Sequence, residues 1–231
     1  MARPCDRGPV RQSRRAKTEL RDSDIRAALD THLRKLHATD DSLIRHELGV
    51  CAGSRRIDVA VVNGEFAGYE IKSDQDSLVR LAYQADAYGR VLDRAIIVTT
   101  SRHLDEAAAM LPGWWGVTVA RQEHHQVVLE PRRLPEVNDG HDAYALAQLL
   151  WREEALGELR VRDKGRGLSG KARHYVWMAL ADAVPLSELR VIVRTRLRER
   201  QSWTADPRRG PGDATSRMPA TPSLSPGPAA I

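Results

Sequence analysis

Apolar residues first recur at helical spacing in Ile25, Leu29, Leu33 and Leu36, which predicts an amphipathic helix. Ser23, followed by acidic Asp24, has the chemistry of its N-cap. Residues 43–50 form a short candidate strand. From Arg56 the rhythm switches to period two. Ile57, Val59 and Val61 fall on one face, Asp58 and Ala60 on the other. Asn63-Gly64 is a turn signal, and residues 65–73 read as the returning strand. Residues 76–91 predict a helix carrying Leu78, Leu81, Ala82 and Ala85. The run 95–100 (AIIVTT) is continuous enough for a buried strand. A short helix over 104–111 ends at Pro112-Gly113, and 117–120 and 126–129 read as two more short strands. This order predicts an α/β fold, a mixed sheet flanked by helices.

The pattern changes after Pro131. Residues 131–141 read as a linker between a 23–130 core and a helical region over 142–203. Helices are expected over 143–150, 171–181 and 186–200. In the last, Leu186, Leu189, Val193 and Leu197 make an apolar stripe beside a basic stripe of Arg190, Arg194 and Arg198. Residues 1–22 read as a basic arm. From Thr204 the Pro-, Gly- and Ser-rich chain has no periodicity, which predicts a disordered tail.

Charge sharpens this picture. The 231 residues carry 36 Lys and Arg against 31 Asp and Glu, a net +5. Between Leu159 and Arg209 the balance is 13 basic to 5 acidic. Such a stretch suits a phosphate backbone, with Lys171, Arg173, Arg190, Arg194 and Arg198 as candidate nucleic-acid contacts; a solvated helical face is the plainer alternative. Cys5 and Cys51 are too few for a disulfide framework, and their spacing fits no zinc site. No apolar run reaches membrane-spanning length, and the Arg-rich start lacks the apolar segment of a secretory signal. These features predict a cytoplasmic protein with no membrane partner.

The candidate chemistry lies between the two central strands. One strand carries a lone Asp58; the next carries Glu70-Ile71-Lys72. Residues i and i+2 of a strand share a face, so Glu70 and Lys72 are expected side by side. Two carboxylates can hold Mg²⁺ through oxygen, and a nearby ammonium can stabilise developing charge. Gln84-Ala85-Asp86-Ala87-Tyr88 follows, with Gln84 and Tyr88 on one helical face. Together these residues resemble the PD-(D/E)XK, restriction-endonuclease-like superfamily, in its RecB-like branch with a Q-x-x-x-Y motif. The stretch from about Leu43 to Ala120 also resembles a group of uncharacterised bacterial proteins assigned there. Ile57 stands where the superfamily usually has Pro.

The resemblance implies a restriction-endonuclease-like sheet with a C-terminal helical extension, and Mg²⁺-dependent (or Mn²⁺-dependent) cleavage of nucleic acid, DNA before RNA. Asp58, Glu70, Lys72, Gln84 and Tyr88 would form the catalytic set, with Glu47 joining Asp58 and Glu70 at the metal. Two rivals stand beside this nuclease reading. One is a module that binds nucleic acid without cutting it, in a defence or repair assembly. The other is a regulatory or toxin-like protein acting through a protein partner. For the carboxylates to share a cleft, the hairpin must have an odd loop. Residues 62–64 would then place Asp58 opposite Gly68, with Gly68 leaving space beside the metal. His124-His125 is expected in a turn, Trp114-Trp115 in the core and Asp76 at a helix cap.

Overall fold

A computed structural model describes residues 19–38 and 42–200. Most of the basic arm and the Pro-rich tail lie outside the described residues. Six strands form one sheet in chain order: β1 (Leu43–Val50), β2 (Arg55–Val62), β3 (Phe66–Lys72), β4 (Arg94–Thr100), β5 (Gly116–Glu123) and β6 (Gln126–Arg133). The β3–β4 and β4–β5 pairs are parallel; the others are antiparallel. Helices α2 (Leu81–Gly89) and α3 (Leu104–Met110) make the two parallel crossovers. The helices α4 (Ala143–Ala147), α5 (Arg152–Val161), α6 (Arg173–Ala183) and α7 (Leu186–Glu199) follow. This is the mixed α/β class with a helical extension that the sequence predicts.

Helix α1 (Asp22–Leu36) covers one face of the sheet. Ile25, Leu29 and Leu33 pack with Val59, Val61, Ile71, Ile96 and Val98. The helix starts at Asp22, so Ser23 is not its cap. Instead the Asp24 carboxylate accepts the Arg21 N–H at 3.2 Å. On the other face Leu92 sits over Gly68. A Cβ there would collide with Leu92 Cδ1 and lie 3.1 Å from Ile57 Cγ2. The space beside Gly68 is therefore filled by side chains, not left open. Ile57 belongs to this second face and not with Val59 and Val61. Trp115 is fully buried and stacks on Tyr88 at 5.9 Å, while Trp114 tilts against it. His124 and His125 form the β5–β6 turn, both at positive φ.

Several boundaries differ from the pattern. Helix α2 begins only at Leu81, because Asp76 caps the turn before it, accepting from Ser73 N at 2.8 Å and Ser73 Oγ at 2.5 Å. Strand β6 runs through Pro131 to Arg133, which an edge strand tolerates because the missing donor faces no neighbour. Helix α5 lies between the helix ranges expected from sequence, although Ala155, Leu156 and Leu159 form its buried side. It is fastened through Glu158, a carboxylate held by Arg162 at 2.8 Å and Arg196 at 2.6 Å.

Candidate functional site

The β2–β3 loop is odd, as the geometry of the carboxylates requires, but it spans Asn63, Gly64 and Glu65. Val62 pairs with Phe66, and Ala60, not Asp58, faces Gly68. Two contacts set this register. The Asp93 carboxylate takes the Phe66 N–H at 2.7 Å, and Arg94 holds Glu65 at 2.6 Å. Continued by one more position, the register places Asp58 directly opposite Glu70.

The ladder ends one step earlier, at Val59–Tyr69. Beyond it the strands part, and the Asp58 side chain replaces the missing ladder acceptor. Its Oδ2 accepts the Ile71 N–H at 2.7 Å. The Asp58 carbonyl is satisfied from α1 by Arg26 at 3.1 Å, and the same guanidinium lies 3.5 Å from Asp58 Oδ1. Burial, then the charge of Glu70, pushes Asp58 up to about 6, against the Ile71 N–H, Arg26 and Lys72.

Glu70 is only 2% exposed and is enclosed by donors. Lys72 Nζ donates to Oε1 at 2.7 Å, and Gln84 Nε2 donates to the same oxygen at 2.5 Å. The Tyr88 hydroxyl lies 2.7 Å from Oε2 and also touches the Arg56 carbonyl, so one proton serves both acceptors. The i, i+4 spacing on α2 thus delivers Gln84 and Tyr88 to one carboxylate. Burial and the adjacent Glu70 raise the Tyr88 pKa, which keeps the phenol protonated. Gln84 Oε1 is buried without a partner, a cost that fits an amide fixed by its other end.

The structure therefore brings Asp58, Glu70, Lys72, Gln84 and Tyr88 together, with the first four lining a cleft of about 420 Å³. Glu47 lines it too, in a left-handed conformation at φ 54, but its carboxylate faces Arg26 at 3.5 Å and Arg56 at 3.6 Å. A divalent ion needs open carboxylate oxygens. Glu70 is taken by three donors, Asp58 is engaged by an N–H and an arginine, and Glu47 lies between two arginines. Among the described residues no three His, Cys, Asp or Glu side chains converge as a ligand set. As arranged, these residues do not fit the ion that the resemblance implies. The rim adds Arg55, Arg56, Arg80 and Tyr83, none singled out from sequence. An aromatic next to the motif's Gln84 was the available signal.

The candidate nucleic-acid residues separate. Arg190 reaches Asp93 Oδ1 at 2.5 Å and Arg194 reaches Oδ2 at 2.9 Å, so these two work inside the fold. His141 Nε2 lies 3.1 Å from the same carboxylate. Burial alone would raise Asp93; His141, the Phe66 N–H, Arg190 and Arg194 outweigh it and hold the carboxyl well below its usual range. Arg198 is exposed on the last turn of α7. Lys171 and Arg173 flank the start of α6, with Lys171 5.9 Å from the Tyr175 ring centre and Arg173 5.3 Å from that of Trp177.

Fold and site together define a mixed α/β protein whose central cleft is a closed acid–lysine–tyrosine network. The chain belongs to the bacteriophage P4 protein cII family, whose sequence profile matches residues 15–207. It is similar to Protein cII of Enterobacteria phage P4, 26% identical over 187 residues, which cover 81% of this chain and 70% of that relative. Among solved structures it is similar to a protein of unknown function from Silicibacter pomeroyi. That match has 20% identity and a TM-score of 0.40, and covers 65% of this chain and 94% of the other. The family and the relative are both phage P4 protein cII, and this match overturns the Mg²⁺-dependent nuclease function expected from the motif.

Proposed function

We propose that this chain is a regulatory protein that acts by binding a protein partner, with the rim of the Asp58–Glu70 cleft as the docking surface. The observation that carries this reading is the contrast between floor and rim. The floor carboxylates are held by internal partners, while Tyr83 on the rim is 67% exposed beside Arg80, and Val79 next to Arg80 is 79% exposed. Tyr and Arg around an apolar contact are the residue types that concentrate binding energy at protein interfaces. No helix among the described residues is long and apolar enough to cross a membrane. The cytoplasm is the compartment this reading favours.

A photo-crosslinking amino acid at position 83, in the full chain expressed in bacterial cells, tests it. We expect a protein adduct from position 83 that Arg80→Glu abolishes, and none from a control at Arg132. Equal adducts at both positions, or none at 83, contradict the reading.

A second reading, nucleic acid held without cleavage, is favoured by a separate observation: the exposed cations of the α5–α6 loop.

A further inference from the structure

Residues 160–175 hold six basic side chains and one acidic. Just past the end of α5, Asp163 takes the left-handed conformation at φ 57, and the Lys164 N–H closes back on the Leu159 carbonyl at 2.8 Å. Gly165 then folds against Arg160. A Cβ there would lie 2.8 Å from Arg160 Cγ, so the reversal needs glycine. Gly167, at φ +76, and Gly170 face open space. The Arg152 guanidinium gathers the carbonyls of Leu168, Ser169 and Lys171 at 3.3, 2.5 and 3.2 Å. Charged hydrogen bonds of this kind give the loop one shape.

The loop differs from the rest of the basic C-terminal region. Arg190 and Arg194 are engaged by Asp93, and Arg162 and Arg196 by Glu158. By contrast Arg160, Lys164, Arg166 and Lys171 are exposed, and among the described residues they make no ion pair. An aromatic platform adjoins them. Tyr175 is 50% exposed, and its ring centre lies 4.1 Å from that of His174.

We propose that this loop and the start of α6 bind a single-stranded stretch of nucleic acid. The inference rests on the second reading above and gives it a site. The cations meet successive phosphates, the glycines let the backbone approach the strand, and Tyr175 stacks on an unpaired base. A duplex hides its base faces and leaves Tyr175 without a role.

The test is fluorescence anisotropy of the full chain with a labelled oligothymidylate and a labelled duplex of equal length, across a salt series. Lys164→Ala/Arg166→Ala/Lys171→Ala should flatten the log–log salt slope for the single strand by about 2, at roughly 0.7 for each phosphate no longer neutralised. Tyr175→Ala should weaken binding about tenfold at fixed salt with the slope unchanged. Circular-dichroism melts of both variants should match wild type. Wild type binding neither oligonucleotide overturns the nucleic-acid reading and this inference together. Wild-type binding whose slope the triple substitution leaves unchanged overturns the loop assignment alone. Duplex binding as tight as single-strand binding, or indifference to Tyr175→Ala, overturns the single-strand assignment.

Discussion

Asp58 shows how one residue can serve architecture where its sequence neighbours suggest chemistry. It sits where β2 and β3 part, and its carboxylate stands in for a ladder carbonyl at the Ile71 N–H. Folding raises its pKa from 3.8 to about 6. The folded chain therefore holds the proton more tightly between those values, and stability falls as pH rises through that window. Above about pH 6 the cost is fully present. Asp58→Asn keeps an acceptor for Ile71 without the charge. It should stabilise the fold by roughly 1–2 kcal/mol at about pH 7, after discounting for the partly exposed side chain, and by almost nothing at about pH 4. Paired thermal melts at the two pH values check this; a lower melting temperature for the variant at the higher pH contradicts it. Glu70, Lys72, Gln84 and Tyr88 were legible as neighbours because strand and helix periods dictate it. That both Glu70 oxygens are filled was not legible. Hydrogen-bond saturation depends on side-chain reach, which spacing does not encode.

At the scale of elements, the same basic side chains read differently once partners are known. The α7 stripe of Arg190 and Arg194 looks like a phosphate grip in sequence, but in the fold it clamps Asp93, itself the residue that fixes the start of β3 through Phe66. The partner lies 97 residues from Arg190, too far for any local pattern to reveal. Asp93→Asn leaves two arginines partly buried without their anion and should cost about 3–5 kcal/mol, read as a fall in the denaturation midpoint. Arg190→Ala/Arg194→Ala should likewise destabilise α7 while leaving the salt slope of nucleic-acid binding unchanged. A flatter slope with unchanged stability would return those arginines to the grip. Strand β2 was legible from its apolar alternation, β3 from the Asn63-Gly64 turn signal before it, and β4 from its continuous apolar run. Helix α5 was less legible because its apolar side is short, limited to Ala155, Leu156 and Leu159, and the buried ion-paired Glu158 shares it. The delayed start of α2 was hidden for a related reason: Asp76 turns back to Ser73 and does not open a helix.

For the whole molecule, the mixed sheet and helical extension follow from the sequence pattern, but function does not follow from the motif. The acid–acid–lysine arrangement is present and shares a cleft, yet its oxygens are committed to Lys72, Gln84, Tyr88, Ile71 and Arg26. The chain belongs to the bacteriophage P4 protein cII family. The exposed chemistry lies at the cleft rim and on the α5–α6 loop, both suited to binding. The most direct test of this account is a cutting assay. Wild type and Lys72→Ala are incubated with single-stranded DNA, duplex DNA and RNA, each with and without Mg²⁺ or Mn²⁺. The account predicts that all substrates remain intact and that the two proteins are indistinguishable. Metal-dependent cleavage by wild type that Lys72→Ala abolishes would contradict it.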